Sequence, residues 1–202
     1  MAYIGGDSSV CAVEFQTSDE KIVGADIIVG SKAPVRAFVE AIAHASSVVI
    51  NETQSESLAL PSASFTTDKT SVIVVGADDA AVDKLLANKS LYGAYANVMT
   101  ESGVSAGFDG FISAPSTGAN DLPSVVVNGK AAVKSSPDNL TAPCTHLAFF
   151  EKGGKKGTIT AEQAVEKVVA IAGESKAELA AALLKNVKCS VVTSVGDVAS
   201  IA

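Results

Sequence analysis

The sequence predicts an α/β (α+β) chain built as two small layered halves. Three observations predict it. Short apolar runs closed by glycine recur, at Ile28-Val29-Gly30, Val74-Val75-Gly76 and Ala170-Ile171-Ala172-Gly173. Beside them stand stretches whose apolar residues repeat at helical spacing. A Gly/Ser-rich passage from Glu101 to Asn120 divides the chain into residues 1–100 and 101–202. Each half reads as strand, helix, strand, strand, helix, with mixed or antiparallel sheets carrying helices on one face.

In the first half, Ser8 to Phe15 alternates apolar and polar residues and predicts a half-buried strand. Thr17 to Lys21 is a turn, and Asp26 to Gly30 is a strand. Pro34 opens a helix over Val35–Ala45, where its missing N–H would have no intrahelical partner. Ser47 to Asn51 is short and β-branched and predicts a second strand. Thr53 to Thr70 is polar, is broken by Pro61, and reads as a long loop; Ser62–Phe65 adds a short edge strand to it. Ser71 to Gly76 is a third strand, and Asp78 caps a helix over Asp79–Asn88. Leu91 to Met99 is apolar with no deciding period.

In the second half, Val125-Val126-Val127-Asn128-Gly129 followed by Ala131-Ala132-Val133 predicts a hairpin, because Asn-Gly supplies two positive φ angles. His146 to Phe150 is a strand. Thr160-Ala161-Glu162-Gln163 and Ser175-Lys176-Ala177-Glu178 are capping-box patterns opening two helices, which end at Gly173 and Lys185. Cys189 to Val192 is a last strand, and the tail from Gly196 reads as a further short strand or as a segment ordered by a partner.

The 202 residues are 48% hydrophobic and 18% charged, with a net charge of −7. An acidic chain with no basic cluster argues against nucleic acid, whose phosphates call for Lys and Arg. No apolar run of about 18 residues predicts a membrane span. Met1 to Asp7 lacks the basic region and apolar core of a signal peptide, so a location in the cytoplasm or in an assembled particle is expected. Cys11, Cys144 and Cys189 are odd in number and far apart, which fits reduced thiols. So little charge suggests apolar surface buried against other chains, in a homo-oligomer.

Gly103-Val104-Ser105-Ala106-Gly107 matches G-x-S-x-G, with Ser105 as a nucleophile, His146 as its base and Asp121 or Asp138 orienting the base. That chemistry needs a strand before the serine and a helix after it, and the flanks suit neither, so a Gly/Ser connector is the plainer reading. Cys144 and His146 stand two apart and would share one strand face, as a thiol–imidazole pair. A metal needs three or four ligands, so no metal is expected. Gly30-Ser31-Lys32 and the other glycine turns match neither dinucleotide nor P-loop patterns, so no cofactor is expected.

Val39-Glu40-Ala41-Ile42-Ala43-His44-Ala45-Ser46-Ser47-Val48 and Val72-Ile73-Val74-Val75-Gly76-Ala77-Asp78-Asp79-Ala80-Ala81-Val82 resemble, in order, the first helix and the strand-and-turn of the shell-protein domain of bacterial microcompartments. Ala77 is an insertion against that pattern. Glu40 replaces the family's Asp, and His44 its tiling Lys. The resemblance implies a non-enzymatic, self-assembling shell subunit of tandem-domain type, forming trimers with other copies and other assembly subunits. It places Glu40 and His44 at the oligomer interface. It places a small polar pore at the loop after the second strand, at Gln54, Ser55, Glu56 and Ser57. The alternatives are a virion or tail structural protein, a small serine hydrolase using Ser105, and a ligand-binding module.

Overall fold

The computed structural model describes residues 2–4, 6–7, 9–66, 71–77, 91–93, 95–106 and 143–201. The expected helix over Asp79–Asn88 with its cap Asp78, the Asn128-Gly129 hairpin, and both Asp121 and Asp138 lie outside these residues. The described elements are helices and strands in open mixed and antiparallel sheets, an α+β arrangement.

The first sheet has three strands in the order β1-β3-β2: β1 Ala2–Ile4, β2 Cys11–Ser18 and β3 Lys21–Val29. β2 and β3 form an antiparallel hairpin, and β1 runs parallel to β3. The turn is Asp19-Glu20, with φ of 50° and 64° at its two residues. Two successive left-handed residues match the twist of the flanking strands. Along β2 the partly buried Cys11, Val13 and Phe15 alternate with the exposed Ala12, Glu14 and Gln16. Helix α1 (Val35–Thr53) covers the apolar face, where Phe38, Ala41, Ile42 and Ala45 meet Val13, Ala25 and Ile27. On the other face Gln16 Nε2 donates to Asp26 Oδ2 at 2.7 Å.

α1 corrects one expectation. Ser47 to Asn51 is not a strand but the last turns of this 19-residue helix. The buried residues there are Ser47 and Asn51, four apart, which is helical spacing. The β-branched run Val48-Val49-Ile50 carries strand propensity, but packing overrides a preference of that size.

The supposed long loop after α1 holds two strands, β4 (Leu58–Leu60) and β5 (Ser62–Thr66). β4 belongs to a second sheet, β4-β8-β9, with β8 Asn97–Thr100 and β9 Gly103–Ala106 joined by the turn Glu101-Ser102. The ambiguous stretch from Leu91 to Met99 resolves into β7 (Leu91–Gly93) and the start of β8.

The largest sheet has six strands in the order β11-β12-β10-β6-β5-β7. Its members not yet placed are β6 (Ser71–Val75), β10 (Cys144–Phe150), β11 (Gly157–Ile159) and β12 (Lys188–Val192). β6, β10 and β12 are parallel, and the remaining pairs are antiparallel. β5 was expected at an edge, yet it lies between β6 and β7. All five residues of β6 are buried, as a strand covered on both faces requires. The expected halves 1–100 and 101–202 share this sheet, since β6 falls in one and β10 and β12 in the other.

Helices α2 (Ala161–Ala172) and α3 (Ala177–Leu184) carry the chain from β11 to β12. Thr160 and Gln163 cap each other's backbone at the start of α2, as their spacing predicts. The second box does not form. Glu174–Lys176 is a short 3-10 turn, and Lys176, not Ser175, is the residue before α3. The tail is helical, α4 (Val195–Ala199), with a capping box between Ser194 and Asp197. The main core lies on one face of the large sheet. Ile73, Leu147, Phe149 and Cys189 meet Val168 and Leu184 from the helices, and Leu58, Leu60, Met99 and Val104 from the second sheet.

Two buried asparagines join these layers. Asn97 Oδ1 accepts from Ser64 Oγ at 2.5 Å, and its Nδ2 donates to Ser62 O at 2.8 Å and Ser62 Oγ at 3.1 Å. Asn51 Nδ2 donates to Ala59 O at 2.9 Å, and Ala59 N–H donates to Asn51 Oδ1 at 2.8 Å.

Candidate functional site

A pocket of about 460 Å³ opens where α1, the β4–β5 corner, the end of β6 and α2 converge. Its apolar wall is Ala43, Pro61, Ala63, Val75, Ala77 and Ile171; Glu40, His44, Ser62 and Tyr95 add polar atoms. Glu40 and His44, expected at an interface, thus line one cavity because they are four apart on α1. The His44 ring meets Phe15 edge-on, with centroids 5.8 Å apart, which ties this face of α1 to β2. Ile171 is 43% exposed, a large apolar side chain left partly open to water. The floor is the carboxyl end of a parallel strand, where open α/β sheets hold ligands. Gly76 leaves β6 with φ of 79°, and a Cβ there would sit 3.3 Å from Phe150 O, so the sharp exit needs glycine.

The expected pore residues form the turn between α1 and β4. Gln54 ends the helix, Ser55 and Glu56 are exposed, and Ser57 is partly buried. Lys176, itself buried, reaches this turn and donates from Nζ to Gln54 O at 2.5 Å and to Ser57 O at 3.0 Å. A cation at the carboxyl end of α1 also suits the helix dipole. Burial holds its ammonium pKa below the ordinary lysine value, opposed by the Glu52 carboxylate.

Ser105 and His146 do not form the expected pair. Ser105 sits within β9, opposite Val98, with the strand continuing to Ala106, so it lies inside an extended run and not on the sharp turn of a nucleophile elbow. The described hydrogen bond of His146 joins its Nε2 to Ser190 Oγ on β12, at 2.8 Å. Cys144 donates its thiol to His146 O at 3.4 Å, so the two residues meet through the backbone and not as thiol and imidazole. Burial pushes the Cys144 thiol up to about 12 and the Cys189 thiol up to about 11, which disfavours a thiolate at either. Among the described residues no cluster of three or more His, Cys, Asp or Glu could hold a metal ion.

Burial, and then the charge of Lys188, hold the His146 pKa below the ordinary histidine value. The unfolded chain takes up this proton below about pH 6.5 and the folded chain resists it. The stability supplied by neutral His146 is therefore complete above that pH and is lost as pH falls through it. Thermal melts at pH 7.5 and 5.5 should show a drop that shrinks in His146→Gln; an identical drop in both proteins would refute this.

Sequence reasoning missed Ser190 and the pocket wall. Ser190 was legible only as the polar position in Cys189-Ser190-Val191. The wall gathers Pro61, Val75, Tyr95 and Ile171 from distant segments, and no local pattern announces it. No protein-family model matches this chain, and no curated protein matches it either. Among the described residues no helix is long and apolar enough to cross a membrane.

Proposed function

We propose that this chain is a self-assembling structural subunit whose copies join through the outer edge of β2. The observation that carries the reading is that edge. β2 is eight residues long and pairs, among the described residues, only with β3. It contains no Lys or Pro, the residues that commonly blunt an open edge. Val10, just before it, is 63% exposed, and Val23 of β3 is 52% exposed. A second copy, antiparallel across a two-fold axis, satisfies the edge with a self-complementary surface.

Charge selects the register. A centre at Glu14 would set two carboxylates face to face. A centre at Val13 sets Cys11 opposite Phe15 and Ala12 opposite Glu14, and it joins the apolar stripes of both copies beneath their α1 helices. The result is a continuous six-stranded sheet. A microcompartment shell subunit is the form of this reading that the helix and β6 segments favour, while Ser47–Asn51 departs from that pattern as helix. In that form, copies bring the Gln54–Ser57 turns, exposed at Gln54, Ser55 and Glu56, together around a small polar pore.

Ala12 is exposed, so its replacement tests the register without touching the core. Ala12→Glu places one carboxylate opposite each Glu14, two like-charge pairs in all, and should weaken association about 2- to 30-fold, at about 0.2–1 kcal/mol for each of the two pairs. Ala12→Lys should leave it intact or tighten it. Light scattering against the 20.3 kDa chain mass reads the outcome. A native monomer would defeat the assembly reading, and a trimer unmoved by either variant would favour the shell arrangement without β2 pairing.

A further inference from the structure

We infer that Ser190 and His146 form a nucleophile–base pair that cleaves small activated esters. Ser190 Oγ stands 2.8 Å from His146 Nε2, a separation at which an imidazole can take a hydroxyl proton. The two meet because β10 and β12 are parallel neighbours, with His146 opposite Lys188 and Ser190 two residues further along. Residues two apart on a strand share a face, so His146, Lys188 and Ser190 stand on one side of the large sheet. Thr158 of β11 lies opposite Ser190 and joins them. The alternate residues Leu147 and Cys189 belong to the core on the other side. Ser190 and His146 are each partly exposed, and Lys188 and Thr158 are exposed, so this polar group is not sealed in the core. Burial, and then the Lys188 charge, hold the His146 pKa below the ordinary histidine value. The ring is therefore neutral near pH 7, and with its proton on Nδ1 it accepts from Ser190 at Nε2.

In the first step Ser190 Oγ bonds to the ester carbonyl carbon while its proton passes to Nε2. The bond to the leaving alcohol then breaks, and Nε2 returns the proton to that alcohol. Water releases the acyl group as a carboxylic acid along the same path, giving a proton to Nε2, which restores the Ser190 hydroxyl. Lys188 and Thr158 bring an ammonium group and a hydroxyl to the face where the carbonyl oxygen takes up negative charge. The step uses no residue of the β2 edge, so this activity and assembly can be measured apart.

The test is reaction of the full chain at pH 7.5 with a small alkyl fluorophosphonate, which bonds to an activated serine oxygen and expels fluoride. Mass spectrometry of the digested protein reads the residue modified, and p-nitrophenyl acetate reads turnover. One adduct should form, on Ser190. Ser190→Ala should lose both the adduct and turnover, and His146→Gln should slow labelling at least about 100-fold, the scale of general-base assistance. Circular dichroism confirms that each variant is folded. The native protein in 8 M urea is the control, and labelling should vanish there with the pair. No adduct, an adduct on another residue, labelling that persists in urea, or an unchanged rate in folded His146→Gln would each overturn the inference. A hydrogen bond that only ties β10 to β12 gives the first of these results.

Discussion

Asn97→Ala is expected to destabilise the protein by about 3 kcal/mol or more, because several buried polar partners lose their bonds at once. Asn97 is fully buried, and its amide serves Ser62 O, Ser62 Oγ and Ser64 Oγ. It ties β8 of the second sheet to β5 of the large one, so the loss falls on the joint between layers. The direction of each bond makes a sharper version possible. Asn97→Asp keeps an acceptor for Ser64 but turns an acceptor toward the Ser62 carbonyl, and the partners described for this side chain include no cation to meet a carboxylate. Asp should therefore rescue nothing despite its near-identical shape. Urea unfolding of the three proteins measures this; a loss below about 1 kcal/mol for either variant would show that the joint contributes little.

Lys176→Met is expected to cost about 1.5–3 kcal/mol, the scale of hydrogen bonds from a charged donor. The methionine retains most of the apolar stem and removes only the ammonium group, which donates to Gln54 O and Ser57 O. Its loss should appear first as faster amide exchange in the last turn of α1 and in β4. If exchange rises uniformly over the chain instead, Lys176 supports the fold generally and not the α1–β4 turn.

The capped and alternating parts of the fold were legible in the sequence. Thr160 with Gln163 announced α2, and the alternation from Val10 to Phe15 announced β2. Where prediction failed, a tertiary contact outweighed local preference. Val48-Val49-Ile50 has the composition of a strand, yet the helix runs on to Thr53 and sets Asn51 against Ala59. β4 looked like loop because its partner β8 lies about 40 residues on, and no short-range pattern encodes that pairing. Ser175 looked like a cap, but the adjacent Lys176 is drawn into the α1–β4 turn. Of the site, Glu40 and His44 were legible as neighbours on a helix face, whereas the opposite wall depended on how the β4–β5 corner, the end of β6 and α2 converge.

Asn51 has a wider consequence. Its side-chain amide presents to Ala59 the donor and acceptor that a neighbouring strand would present, so α1 ends β4 with a counterfeit backbone one residue wide. The backbone groups of Ala59 that a foreign strand would seize are already occupied. A protein that polymerises through sheet edges must stop growth at some of them, or discrete particles give way to tangled fibres. In the assembly proposed above, Asn51 would be such a stop: it shields β4 at Ala59, whereas among the described residues the outer edge of β2 is unpaired, and the subunit would then have one side that adds copies and another that refuses them.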